Sequence, residues 1–327
     1  MPSRPLVIGI VLAVVAIALV RNGSSGYALS VWSLAMVTGG LGMSLSLLVT
    51  HAGMPSLAQA AFYGTGGYAV GVLAVRTSQD NLWVGLLVAA VVAGVLALAL
   101  GAVSLRTRGI YFQIITLSFT AMIWGLAVKW RSLTGGDDGL VGIYPPSLSP
   151  LPGYLVSPQD VFLCSAIALL VICLLVRTVR HSTFGHVLVG IRDSESRMAA
   201  LGYRTTAYRL GAFVIAGVLA AIPGALLTYQ LQFSSPAQLN FVVSIQALLV
   251  VVLGAGTLMG PALAGIGVVW LQELLQRHTS HWLLVLGGIY IAVALLNPPV
   301  LAQRVRRRLA PSRGRHDAPE GSLEVVS

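Results

Sequence analysis

The chain has 327 residues, of which 9% are charged and 56% hydrophobic, and its formal net charge is +10 at pH 7. Its mean hydropathy is +0.86, and soluble domains carry about 25% charged residues, so this composition excludes an ordinary soluble domain and predicts a membrane protein. The positive charge does not require nucleic acid as a partner, because the basic residues flank apolar stretches, where topology and anionic lipid explain them.

Apolar stretches follow one another along almost the whole chain. We predict an all-α integral membrane protein with about ten transmembrane helices, since about 20 apolar residues cross a bilayer, in a domain that covers 1–303. The first stretch is interpreted as a retained helix, because it runs into Arg21 without a small-residue cleavage site. The predicted spans are 5–20, 27–49, 55–75, 82–105, 110–128, 161–176, 210–231, 241–254, 260–276 and 282–297.

The basic residues are distributed unequally between the two sides that these spans define. With the N-terminus inside, 15 of the 20 Lys and Arg residues lie in cytoplasmic segments, six of them in 177–209 and six in 304–315. Cytoplasmic loops carry an excess of Lys and Arg. We therefore predict that both termini are cytoplasmic, that 129–160 is an outside loop, and that 304–327 is a basic, disordered tail.

The cytoplasmic loop 177–209 is predicted to contain a short helix with its own caps. Asp193 is placed to be its N-cap and Gly202 to end it, while Glu195 lies in the first turn, where the helix dipole favours an acid. Two interpretations stay open, a helix that docks a partner protein and a helix that lies on the solvent or lipid surface. The candidate docking residues are Arg192, Asp193, Glu195, Arg197, Met198, Leu201 and Gly202.

Two predicted spans carry polar residues on one helical face, as a solute path would. The candidate path residues are Ser56, Gln59, Tyr63, Gln113, Thr116 and Thr120. The first three follow a helix-starting Pro55, whose turn leaves backbone donors that could meet a carboxylate. Hydroxyls in membrane helices often bond back to the i−4 carbonyl. The two glutamines are the stronger candidates, because an amide without partners in hydrocarbon costs several kcal/mol.

The sequence also limits how transport would be powered. It has no G-x-x-x-x-G-K-[ST] loop, so the chain is not expected to bind ATP in that way. Ion-coupled carriers place acids or histidines within the membrane, whereas here Glu273 lies near the outer end of its span and His51 at a span boundary. Neither a metal motif nor a nucleophile elbow is present. We expect no catalytic residue, no metal and no cofactor, and energy supplied through a partner protein.

Five ordered motifs carry a family resemblance. They occupy 52–68, 105–112, 133–140, 182–201 and 253–261. Together they resemble the permease subunits of ATP-binding-cassette (ABC) importers for branched-chain amino acids, which are related to permeases for urea and short amides. Met54, Pro55 and Gln59 depart from the residues common in that family, and these departures bear on the solute rather than on the family.

The resemblance implies a half-pore in a bacterial inner membrane. It implies pairing with a homologous second permease, two cytoplasmic ABC ATPase subunits below, and an extracytoplasmic substrate-binding protein that delivers the solute. In such permeases the loop before the late helices couples to the ATPase, which corresponds to 182–201 here. The alternatives that stay open are a permease for urea or short amides, an ion-coupled or facilitative carrier and, distantly, a membrane enzyme.

Overall fold

The computed structural model describes residues 25–77, 81–147, 154–254, 257, 259–279 and 281–296, together with Ile17, Val20 and Arg21. The remainder of the predicted span 5–20 and the predicted tail 304–327 lie outside the described residues.

The described residues form twelve α-helices. These are α1 Gly26–Ser46, α2 Gln59–Thr77, α3 Leu82–Ser104, α4 Ile110–Lys129, α5 Arg131–Thr134, α6 Pro158–His181, α7 Thr183–Asp193, α8 Glu195–Ala200, α9 Thr205–Leu231, α10 Phe241–Leu253, α11 Gly260–His278 and α12 Trp282–Leu296. A π-helical turn, Leu47–Ala52, continues α1. Two short strands, β1 Leu140–Val141 and β2 Phe233–Ser234, pair antiparallel.

Five described helical segments are long and apolar enough to cross a membrane. They are Gly26–Ala52, Leu82–Ser104, Ile110–Lys129, Pro158–His181 and Thr205–Leu231. These coincide with five of the predicted spans, and the prediction of an all-α chain with membrane-length helices is confirmed. The predicted spans at 55–75, 241–254, 260–276 and 282–297 are occupied by α2, α10, α11 and α12, which are shorter or less apolar than those five.

Helix α9 lies at the centre of the bundle and packs against α1, α2, α3 and α6. Its closest approach is to α2, where a Cβ at Gly66 would lie 2.7 Å from the Cα of Ala221, and a Cβ at Gly224 would meet the carbonyl oxygen of Tyr63. Phe213 of α9 packs edge-to-face on Phe62 of α2, with ring centroids 5.4 Å apart. Small residues allow membrane helices to approach this closely.

Contacts between distant helix ends and loops fall into two groups. In the group predicted to lie outside, Arg76 donates to the carbonyl of Ser132, and Tyr27 donates to Glu273 at 2.6 Å. In the group predicted to lie inside, Arg108 pairs with Glu195 at 3.2 Å. The strand pair β1–β2 joins two further segments that are predicted to lie outside.

Candidate functional site

A non-helical interruption at 53–58 separates the π-helical turn from α2. Gly53 ends the turn with φ +65, in the left-handed region. The predicted helix start at Pro55 is wrong, because α2 begins at Gln59; a residue that precedes a proline is biased away from helix, and the proline has no N–H to donate. Ser56 therefore does not share a helical face with Gln59.

Hydroxyl groups from other helices bind the backbone of the interruption. The N–H of Leu57 donates to Oγ1 of Thr116 at 3.1 Å, and Oγ1 of Thr120 donates to the carbonyl of Leu57 at 2.8 Å. At the start of α2, the N–H of Ala60 donates to Oγ of Ser244 in α10 at 2.8 Å. Non-helical backbone is tolerated at membrane depth where protein groups satisfy it. The two threonines therefore stabilise the interruption.

The side chain of Gln59 is fully buried at 0% exposure. Its amide nitrogen and oxygen have no hydrogen-bond partner among the described residues. Gln59 lies about 18 Å along α2 from Gly71, and Gly71 packs against Leu140 and Ser234 of the two strands. An unsatisfied buried amide costs about 1–3 kcal/mol. This places a costly polar group deep in the bundle, next to the interruption.

The structure brings only some of the candidate path residues together. Gln59, Thr116 and Thr120 surround the end of the interruption, and Oγ of Ser56 accepts the N–H of Ala58 at 3.1 Å. The backbone N–H groups that were predicted to be available to a carboxylate are thus partly used by serines. The N–H of Ala58 donates to Ser56, and that of Ala60 donates to Ser244. Sequence reasoning missed Ser244, because no local pattern relates it to α2.

The side chains of the other two candidates make no hydrogen bond to this group among the described residues. Tyr63 is buried in α2, and its carbonyl oxygen faces Gly224 of α9. Gln113 is half-buried in α4, where its carbonyl accepts the hydroxyl of Thr116 at 2.9 Å.

The loop 177–209 forms two helices, and its caps differ from those predicted. Asp193 is not an N-cap, since it is the last residue of α7, and its carboxylate pairs with Arg192 at 3.0 Å. The N-cap of α7 is Ser182, whose Oγ accepts the N–H of Gly185 at 3.3 Å. Helical structure in this loop therefore begins at a serine N-cap eleven residues before the predicted one. Ser194 is the N-cap residue of α8, but its side chain makes no capping hydrogen bond.

The predicted end of the short helix is confirmed. Gly202 follows α8 with φ +89. The N–H of Tyr203 donates to the carbonyl of Met198 at 3.2 Å, and the N–H of Gly202 donates to that of Ala199 at 3.0 Å. This is the Schellman pattern of helix ends, which glycine favours because it has no Cβ.

The candidate docking residues divide between an outward and an inward set. Leu201 is 68% exposed, and Arg197 is exposed beside it. Met198 is half-buried and packs on Gly190 of α7, so that a Cβ at Gly190 would lie 2.8 Å from the Met198 sulfur. Arg192 turns toward the bundle and donates to the carbonyl of Thr50.

Glu195 also faces the bundle, where it joins α8 to α9 and to the turn between α3 and α4. Its carboxylate accepts from Arg108 at 3.2 Å, from the hydroxyl of Thr205 at 3.2 Å and from Arg209 at 3.5 Å. Arg209 is only 7% exposed, and its Nε donates to the sulfur of Met54 at 3.0 Å. Sequence reasoning noted Met54 only as a departure from the family and Arg209 only among the basic residues of 177–209, so it missed the contact between them.

Glu273 lies near the C-terminal end of α11, on the other side of the bundle from Glu195, and two side chains bind it. Tyr27 donates to it at 2.6 Å and Arg277 at 2.8 Å, and the Arg277 guanidinium lies 5.3 Å from the centre of the Tyr27 ring. Within the described ranges, no three His, Cys, Asp or Glu side chains lie together as metal ligands would.

Comparisons with known proteins show the family to which this chain is similar. The model of the family described as branched-chain amino acid transport system / permease component matches residues 27–294. Two curated relatives are high-affinity branched-chain amino acid transport system permease proteins LivM. The protein from Salmonella typhimurium strain LT2 is 28% identical over 291 residues, which cover 82% of this chain and 68% of the relative. That from Escherichia coli strain K12 is 28% identical over 296 residues, covering 84% and 69%. No solved structure matches.

Proposed function

This chain belongs to the family of branched-chain amino acid transport system permease components, and from that premise we propose that it is the transmembrane pore subunit of an ABC importer. It moves branched-chain or related amino acids inward and is itself non-catalytic. A homologous second permease, two ABC ATPase subunits and an extracytoplasmic binding protein complete the complex in the bacterial inner membrane. The family match over 27–294 carries the proposal.

We propose the ten-span topology with both termini in the cytoplasm, in which 129–160 lies outside and 177–209 inside. The charge distribution supports it, and so does the grouping of loop contacts, with Arg108 on Glu195 and Arg76 on Ser132. In a cysteine-free background, an impermeant thiol reagent should label a cysteine at 141 in intact cells and leave one at 197 unlabelled. The reverse pattern would invert the orientation.

The importer proposal is tested by reconstitution. The chain is purified with its second permease and ATPases, placed in proteoliposomes with the binding protein outside, and supplied with labelled leucine and internal ATP. Uptake that needs both ATP and the binding protein is the expected result. Uptake driven by a proton or sodium gradient without the ATPases would contradict it. Ligand screening of the binding protein separates branched-chain amino acids from urea and short amides.

We propose that Gln59, with Thr116 and Thr120 beside it, lines the solute path. Gln59→Leu removes an amide that has no partner in this conformation, so we expect stability to stay the same or rise by about 1–3 kcal/mol. Transport should nevertheless fall, because the polar contact offered to the solute is lost. Thermal midpoints and uptake rates measure the two effects. Wild-type uptake by this variant would make Gln59 a packing residue.

We propose that the exposed end of α8 docks the ATPase. Leu201→Glu should prevent the ATPases from co-purifying, because a charge at an apolar contact remains unpaired when it is buried. Leu201 is 68% exposed, so this change leaves the fold of the chain intact. Val141→Glu is the matched control, since Val141 is 70% exposed on the predicted outside. Equal co-purification of both variants with the ATPases would place the docking site elsewhere.

A further inference from the structure

The short segment 50–54 overlaps the start of the interruption at 53–58. Three arginines bind it, one from the end of α6, one from α7 and one from α9. Arg192 donates to the carbonyl of Thr50. Arg180 donates to the Thr50 hydroxyl and, at 3.1 Å, to Nδ1 of His51. Arg209 donates to the sulfur of Met54 at 3.0 Å. These side chains come from more than 120 positions away in the sequence, so the fold ties this segment to the loop 177–209.

A glycine in the left-handed region lies between the bound points of the segment. Gly53 has φ +65, and a Cβ there would lie 2.6 Å from Cγ of Arg192. Any other residue at 53 would meet both backbone strain and a packed side chain. On one side of Gly53 lie Thr50 and His51, which Arg180 and Arg192 hold, and on the other lies Met54, which Arg209 holds. The two sides are therefore attached to different helices across a single left-handed residue.

Two side-chain contacts and a short stretch of backbone connect α8 to Gln59. Glu195 in α8 pairs with Arg209 at 3.5 Å, and Arg209 contacts Met54. From Met54 the chain continues to Leu57, no more than about 11 Å further on when extended. Leu57 is the residue that Thr116 and Thr120 hold next to Gln59. Few residues therefore separate α8 from the proposed solute path.

We propose that Arg209 is a positioning residue that transmits displacement of α8 through Met54 to the interruption at 53–58. This inference rests on the proposed coupling of α8 to an ATPase. Arg209 touches neither the solute nor ATP. It moves the backbone that carries Leu57, and Gly53 is the residue about which that backbone turns.

Arg209→Met tests the linkage, because it keeps a long apolar side chain and removes the guanidinium that joins Glu195 to Met54. Glu195 retains Arg108 and Thr205 as partners. In the reconstituted importer, the amount of solute moved per ATP hydrolysed should fall by about tenfold, the factor that 1.4 kcal/mol produces. Arg209→Lys should restore part of this ratio. A purely structural role would lower the amount of complex and leave the ratio of the surviving complex unchanged, which would overturn the proposal.

Arg277→Met is the matched control, since it removes the guanidinium of another Glu–Arg pair, 2.8 Å apart, at the opposite end of the helices. It should leave the ratio of solute to ATP unchanged. Met54→Leu keeps the apolar volume and removes only the sulfur acceptor. It should change the ratio in the same direction by a smaller factor, so the linkage stays testable if Arg209→Met fails to fold.

A second measurement needs no partner protein. In the purified chain, Arg209→Met should raise amide hydrogen exchange within 53–58 by about tenfold, because a lost contact promotes local opening. Arg277→Met should leave that exchange unchanged. Unchanged exchange in the Arg209 variant would overturn the linkage. If the wild-type chain showed no ATP-coupled transport while exchange at 53–58 still rose in the variant, the linkage would stand and the proposed coupling function would fail.

Discussion

Gly224→Ala should lower the thermal midpoint of the purified chain and the amount that inserts into the membrane. A Cβ at 224 would occupy the place of the Tyr63 carbonyl oxygen, and one at Gly66 would meet the backbone of Ala221. Overpacking costs about 1–3 kcal/mol where a neighbouring side chain can rotate away. Here the obstacle is backbone, so α2 and α9 must separate along their length, and we expect a cost at or above that range. Thermal unfolding in detergent, followed by tryptophan fluorescence, measures it.

Gly125→Ala provides the control for this prediction. Gly125 lies in α4, and a Cβ added there would meet no described atom beyond its own helix backbone within 4 Å. Because glycine in a helix costs about 1 kcal/mol relative to alanine, this variant should be as stable as the wild type or slightly more stable. The same substitution is thus expected to act with opposite sign at two helical glycines. A Gly224→Ala chain with a wild-type midpoint would show that the two helices do not approach this closely.

The sequence predicted the helices well where the bilayer alone decides them. Apolar length located the spans at 82–105 and 110–128 within a few residues, because a membrane helix satisfies its own backbone. It failed at 55–75, where α2 begins at Gln59. The hydroxyls that allow the chain to leave helical geometry there belong to Thr116 and Thr120 in α4. No local pattern near residue 55 could reveal partners that come from another helix.

The candidate docking site was predictable in composition but not in geometry. Glycine at 202 ends α8 because the chain turns left-handed there, and that requirement is visible in the sequence. Asp193 has the chemistry of an N-cap, yet Ser182 had already begun a helix that includes it. The inward role of Glu195 depends on Arg209, fourteen residues later and on another helix. Charge placement identified the loop, and only the fold identifies which side chains remain free for a partner.

The double variant Thr116→Val and Thr120→Val should combine loss of stability with loss of transport. Valine has nearly the shape of threonine, so packing in α4 is preserved while both hydroxyls disappear. The N–H and the carbonyl of Leu57 would then lose their partners. Both hydrogen bonds are part-buried, so each unsatisfied group costs up to about 3 kcal/mol, or up to about 6 kcal/mol for the pair. The interruption should rearrange, with the backbone next to Gln59 moving away from α4.

Ser118→Ala separates this effect from the general loss of a hydroxyl in α4. Ser118 lies on the same helix between the two threonines, but it is exposed, and its hydroxyl donates to the carbonyl of Ile114 at 3.0 Å. Its removal should change stability by no more than about 0.5 kcal/mol and leave uptake intact. Thermal midpoints and leucine uptake are compared for both variants. If the double valine variant matched Ser118→Ala in both measurements, the threonines would not hold the interruption, and the bundle would have to satisfy Leu57 by another route.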